Sequence, residues 1–207
     1  HVFNSPNAPV SYPFLWDIVQ HDYVQWNGLA ENSGVGPVGR NAGEVVGVFG
    51  TLDWKIKPGF SLSSIIGGQG LGEKHISFQS SVRVHNLRRL ESHIAKLQSP
   101  LWPEDVLGKL DHERVQRGEG LFDNHCASCH AEIKRDDKQR RVVARKTGLG
   151  IIGTDPQMAN NSVSATGFSG ILRNEYVSAL DAGNILLDKK APVAALLTKA
   201  TTGVVAD

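Results

Sequence analysis

Two cysteines and one methionine are all the sulfur that this chain of 207 residues carries. So few thiols leave no room for a disulfide framework, and none is needed, because a chain of this length buries roughly 70% of its unfolded surface. Net charge is almost absent as well, at +1, which removes the global pull towards nucleic acid or acidic lipid that a strongly basic protein exerts. No stretch approaches the ~20 apolar residues of a membrane helix. The opening residues, HVFNSPNAPV, have neither the basic end nor the apolar run of a secretory signal. Either a leader has been removed or the chain is a piece of a longer one. Apolar residues at 40% and charged residues at 21% are ordinary for a globular protein, and the length suits one domain or two small ones.

Residues 1–60 hold Pro6, Pro9, Pro13, Pro37 and Pro58 among many glycines. Proline fixes its own dihedral and disfavours helix in the residue before it, so only short elements fit, around 14–20 and 44–49. The composition then changes. Val84, Leu87, Leu90, Ile94 and Leu97 recur at spacings of three and four, which predicts an amphipathic helix over 82–98, stopped by Pro100 and Pro103. A second helix is expected over 111–129, with Asp111 as its N-cap and Val115, Leu121 and Phe122 on its apolar face. Aliphatic stripes in the tail predict helices near 176–187 and 191–201. The expected boundary is Asp111: a loop-rich subdomain at 1–110 ending in the helix 82–98, then a helical unit at 111–207. The expected fold class is mainly α.

Both cysteines lie in NHCASCHAE, residues 124–132, and His130 follows the second directly. A Cys-x-x-Cys pair alone is ambiguous among a redox dithiol, half of a zinc site and a haem anchor. A redox dithiol expects a preceding strand in a βαβ surround, which the sequence before Cys126 does not offer. A closed zinc site needs four ligands, and no second pair follows. Cys-x-x-Cys-His needs nothing further. On a helical turn, the thiols of Cys126 and Cys129 reach the two vinyl groups of one haem c, and the imidazole of His130 falls under the iron as axial ligand. Covalent attachment of this kind takes place outside the cytoplasm, so a periplasmic or extracellular location is expected. Spare cysteines are a liability there.

The approach to the motif, Gly118-x-x-Leu121-Phe122-x-x-x-Cys126, resembles the first helix of class I cytochromes c. That resemblance implies a cytochrome c-like helical haem domain at 111–207, a close helix crossing at Gly118, and Leu121 and Phe122 packed at the porphyrin edge. Plain core packing of those two side chains is the simpler reading, and both can hold together. The state of the sixth iron position decides whether a haem stores an electron or binds a substrate. Met158, 28 residues beyond His130, is either that ligand or a packed methionine, and electron carriers place theirs further on. Tyr176 is a weaker candidate. His75, His85, His93, His112 and His125 read as surface or capping histidines.

The first half contains Pro13-Phe14-Leu15-Trp16-Asp17 and Trp26-Asn27-Gly28. With the motif and NLRRLESHIAKLQSPLWP they resemble the bacterial di-haem cytochrome c peroxidases and rubber oxygenases, in the portion that bears the second haem. The resemblance implies an oxidoreductase of peroxidase-like type, a redox partner protein or second haem domain, and a role for Trp16 and Trp26 in relaying electrons. Aromatic packing is the competing use of both tryptophans. The acid–amide pair of the peroxidases is not matched: Gln25 is one position off, Gly34 stands where the glutamate falls, and Glu31 and Glu44 are misplaced. A non-enzymatic electron carrier or haem-binding module is the alternative. Trp54 and Trp102 read as core.

GVGPVG (34–39) fits a dinucleotide fingerprint in letters, but Pro37 lies inside it, no strand precedes it and no helix pattern opens after it. A compact loop is expected there. The basic stretch at 134–146 reads as a solvated face from which Arg141 or Arg145 pairs with a haem propionate. An alternative is that it docks an acidic redox partner. It lacks the aromatic interleaving of a nucleic-acid surface.

Overall fold

The computed structural model describes residues 5–33, 36–59, 74–179 and 183–207. The strands among them are β1 (Tyr23–Val24), β2 (Ala30–Glu31), β3 (Leu52–Pro58), β4 (Lys74–Ser80), β5 (Thr166–Phe168), β6 (Tyr176–Ala179), β7 (Gly183–Leu186) and β8 (Lys190–Pro192). The helices are α1 (Gly36–Glu44), α2 (Val84–Ile94), α3 (Glu104–Leu107), α4 (His112–His125), α5 (Leu149–Ile152), α6 (Gln157–Ser164) and α7 (Val193–Ala206). A π-helical turn, Val45–Phe49, continues α1, and Ile18–Gln20 and Gly170–Leu172 are 3-10 turns. The chain divides into two compact units built from interleaved segments. One draws on His1–Ala8, Gly34–Glu91 and Pro156–Asp207, the other on Pro9–Ser33 and Ser92–Asp155.

The first unit has an apolar core. Strands β3 and β4 pair antiparallel, from Leu52 opposite Ser80 to Pro58 opposite Lys74. Trp54 faces Phe78 across the pair, with ring centroids 5.0 Å apart in an edge-on arrangement, a favoured geometry for aromatic contact. Helix α7 buries a stripe of Ala195, Lys199, Ala200, Gly203 and Val204, the spacing expected of one helix face. Ile76, Phe78, Leu172, Val177, Leu187 and Ala191 complete the core with it. Helix α1 is tied to α2 by Arg40, whose guanidinium lies 2.7 Å from the Glu91 carboxylate, and by a hydrogen bond from Asn41 to the same group.

The second unit is held in a different way. Its buried residues are Asp17, Val24, Asn32, Arg140 and Val142, three of them polar. The short β1–β2 pair carries Gln25 and Gly28 at positive φ in its connection. Asn32 ties the turn together by donating to the carbonyls of Ile18 and His21, each at 2.9 Å.

The expectation of a mainly α protein with a class I cytochrome-like helical domain is corrected. Helix makes up 41% and strand 18%, with several small antiparallel sheets, so the protein is mixed α/β. The strand pattern was local: Leu52, Trp54 and Ile56 alternate with Asp53, Lys55 and Lys57, a period of two rather than 3.6. The helix expected near 176–187 is the β6–β7 pair, in which Val177 is buried between exposed Tyr176 and Ser178. Gly183, at φ +70°, takes a conformation that ends a helix. Helix α7 occupies 193–206 where 191–201 was expected. The loop expected at 34–39 is in part helical, since α1 starts at Gly36 and places Pro37 in its first turn, where the missing N–H is no loss. Gly34 and Val35 lie outside the described residues. Trp102 is not core but half exposed, with its indole N–H donating to the Gly108 carbonyl at 2.8 Å. The amphipathic helix of 82–98 is present as Val84–Ile94, although its buried residue is Glu91.

Candidate functional site

Helix α4 delivers the Cys-x-x-Cys-His motif. It begins where its sequence says it should: the Asp111 carboxylate accepts hydrogen bonds from the backbone N–H groups of Glu113 and Arg114, both at 3.1 Å. These satisfy two of the donors that every helix N-terminus leaves open. At the other end Cys126 is the C-cap, its N–H donating to the Phe122 carbonyl at 2.8 Å. The Cys126 carbonyl in turn accepts from the N–H groups of Cys129, at 3.0 Å, and His130, at 2.8 Å. One carbonyl therefore closes a turn that contains both thiols and the imidazole. The thiols are free, Cys126 half-buried and Cys129 exposed. Among the described residues no group of three or more His, Cys, Asp or Glu side chains is arranged to hold a metal ion. Haem attachment asks less of the chain, since it takes one axial imidazole and two thiols.

The surroundings suit a large apolar group. None of the fourteen residues of α4 is buried. Val115, Leu121 and Phe122 are 46%, 59% and 37% exposed. An isolated helix of this length is marginal in water and depends on covering its apolar face. A Cβ placed at Gly118 would meet nothing within 4 Å, so the close helix crossing implied by the cytochrome resemblance is not found among the described residues.

The remaining sequence candidates fall in different places. Trp16 stacks on Phe14 with centroids 5.9 Å apart, and Phe14 lies 5.9 Å from the His21 ring. Trp26 is 56% exposed and its N–H donates to the Ser11 carbonyl at 3.2 Å. Arg141 is exposed. Arg145 donates from Nη1 to the carbonyl of Ala127, inside the Cys-x-x-Cys turn. Met158, half-buried on α6, and Tyr176, on β6, belong to the first unit, whereas His130 belongs to the second.

Sequence reading missed the polar frame of this unit. Arg140 and Asp17 form a buried ion pair at 2.5 Å. Burial pushes the His21 imidazole below its ordinary pKa of 6.5, against the opposing pull of Asp17 and Asp22. A basic residue inside a run of seven gives no local sign that it is the buried one.

No described protein family and no solved structure matches the chain. It is similar to an uncharacterized protein, y4iJ, of Sinorhizobium fredii (strain NBRC 101917 / NGR234), at 27% identity over 85% of this chain. The match covers 31% of that protein, so the chain spans under a third of its relative's length. Among the described residues no helix is long and apolar enough to cross a membrane.

Proposed function

We propose that the second unit binds one haem c covalently and serves as an electron-transfer centre, outside the cytoplasm, within a larger oxidoreductase. The observation that carries this reading is the turn at 126–130, in which a single carbonyl gathers Cys126, Cys129 and His130 beside the uncovered apolar face of α4. Each thiol adds across one vinyl group, its sulfur bonding one carbon and its proton going to the other, so attachment needs no oxidant. His130 would supply the nitrogen that holds the iron. Leu121 and Phe122 offer exposed apolar surface against which a porphyrin edge would pack, and Arg141, exposed, is available to pair with a propionate. A haem held there would supply one-electron chemistry, at a potential that its ligands and surroundings would set.

The resemblance to the di-haem peroxidases and rubber oxygenases supports an oxidoreductase whose substrate chemistry belongs to another haem, with this unit feeding electrons. The test is a pyridine haemochrome assay on protein matured with the c-type attachment machinery. Covalent haem is expected at one per chain and is lost in Cys126→Ser/Cys129→Ser. His130→Ala is expected to keep the haem and change its spin state. Correctly matured protein without covalent haem would overturn the reading. Turnover of peroxide or dioxygen by the complete protein separates an enzyme from a carrier.

A further inference from the structure

The backbone over 140–146 lies extended against the segment that carries Phe14, Trp16 and His21, within the same unit. Arg140 pairs with Asp17 at 2.5 Å. The Val142 N–H donates to the Gln20 carbonyl at 3.0 Å, and its carbonyl accepts from the Asp22 N–H at 3.1 Å. The Ala144 N–H donates to the Asp22 carboxylate at 2.8 Å. Lys146 Nζ sits 3.3 Å from the centre of the Tyr23 ring. Extended backbone sends alternate side chains to opposite sides. Arg140 and Val142 are buried and Ala144 half-buried, while Arg141, Val143 and Arg145 are exposed. Arg145 is therefore on the side away from the Asp17–Asp22 segment, and it donates to the Ala127 carbonyl between the two cysteines.

We infer that residues 140–146 are a strap fastening the haem-attaching turn to the Phe14–Trp16–His21 segment, with Arg145 as the positioning residue. The inference rests on the haem reading for its purpose, though the strap itself is a property of the chain. Its effect is to fix the turn between the thiols, and hence the angle at which Cys126, Cys129 and His130 meet the ring. Were a haem attached, a guanidinium held there would also favour its ferrous state, which carries one positive charge fewer.

The experiment is amide hydrogen exchange across 122–131 in the matured protein, comparing wild type with Arg145→Gln, Arg145→Lys and Asp22→Ala. Loss of one solvent-exposed hydrogen bond is expected to speed exchange at Cys126, Ala127, Cys129 and His130 by about three- to tenfold in Arg145→Gln. Arg145→Lys is expected to fall between. Asp22→Ala, which touches only the far side of the strap, is expected to produce the same change, while peptides around Phe78 stay unchanged and report an intact first unit. The haem potential is expected to fall in Arg145→Gln. A potential shift without faster exchange would mean that Arg145 acts on a propionate as a charge and would overturn the strap. Faster exchange at 140–146 alone in Asp22→Ala would overturn it as well. Wild-type protein without haem would sink the haem reading, and the exchange comparison would still decide the strap.

Discussion

Breaking the Asp17–Arg140 pair is expected to unfold the second unit more readily than any surface change, by an amount that its burial sets. Asp17 is 5% and Arg140 7% exposed. Two unit charges 2.5 Å apart attract by about 7 kcal/mol gross at an effective dielectric near 20. Desolvation of the two ions is of several kcal/mol each, so the intact pair adds little net stability. Removing one partner is another matter, because the desolvation of the survivor then stands alone. Arg140→Met keeps the apolar stem but deletes the donors to Asp17, to the Asp137 carbonyl at 3.1 Å and to the Leu97 carbonyl at 3.4 Å. A loss of about 3–5 kcal/mol is expected. Asp17→Asn leaves Arg140 its two carbonyl acceptors and should cost less, about 1.5–3 kcal/mol. The double variant strands no charge, and its loss should fall short of the sum by at least ~1 kcal/mol. Urea unfolding followed by circular dichroism measures all three, with an unchanged slope showing that stability rather than compactness has moved. Additive losses, or an Arg140→Met effect under about 1 kcal/mol, would place the pair among exposed ion pairs and refute a polar frame for this unit.

Three further outcomes test the packing and the titration. A Cβ at Gly203 would lie 2.5 Å from ring carbons of Phe78, whereas one at Gly118 meets nothing within 4 Å. Gly203→Ala should therefore destabilise by about 1–3 kcal/mol through overpacking, and Gly118→Ala should stabilise by about 0.5–1 kcal/mol; a Gly203→Ala melt at or above that of wild type would contradict the α7–β4 contact. Lys199 is 2% exposed, its Nζ 3.1 Å from Glu175, whose side chain is 22% exposed. Glu175→Ala removes the carboxylate from the buried ammonium, which keeps the Tyr176 carbonyl as acceptor at 3.1 Å, and should cost about 1.5–3 kcal/mol; a denaturant midpoint unchanged from wild type would show that the ion pair does not stabilise the fold. His21 has its pKa lowered from 6.5 by burial, so the unfolded chain binds the proton more readily and stability rises with pH. Its contribution is full above about pH 6.5 and is lost as pH falls through that value towards the depressed one. His21→Phe should flatten the stability–pH curve below neutrality, and a wild-type curve already flat there would remove burial as the cause.

What could be read from the sequence was local. The N-cap at Asp111, the helix after it and the Cys-x-x-Cys-His turn depend on residues within a few positions of one another, and each is present. The tail helix survives for the same reason. The β3 strand was just as local, since Leu52-Asp53-Trp54-Lys55-Ile56-Lys57 alternates without a break, and a test for period two would have found it. By contrast, the Asp17–Arg140 and Arg145–Ala127 contacts join residues separated by 123 and 18 positions. No periodicity selects Arg140 as the one buried member of its run of basic residues.

The two units divide the usual labour of a fold unequally. In the first, most of the buried side chains are apolar, and the buried ions Glu91 and Lys199 are paired with Arg40 and Glu175. In the second, buried positions go to Asp17, Asn32 and Arg140, while Leu101, Val106, Ile151 and Leu121 are 70%, 74%, 85% and 59% exposed. Apolar burial is the main driving force of folding, so a unit that orders itself through ion pairs and backbone hydrogen bonds keeps its apolar side chains for something other than its own core. Leu121 lies on the helix that ends in the turn holding both cysteines. On the haem reading proposed above, charge would frame the site and apolar surface lead into it, and a ligand of porphyrin size would cover side chains that the unit's own core leaves open.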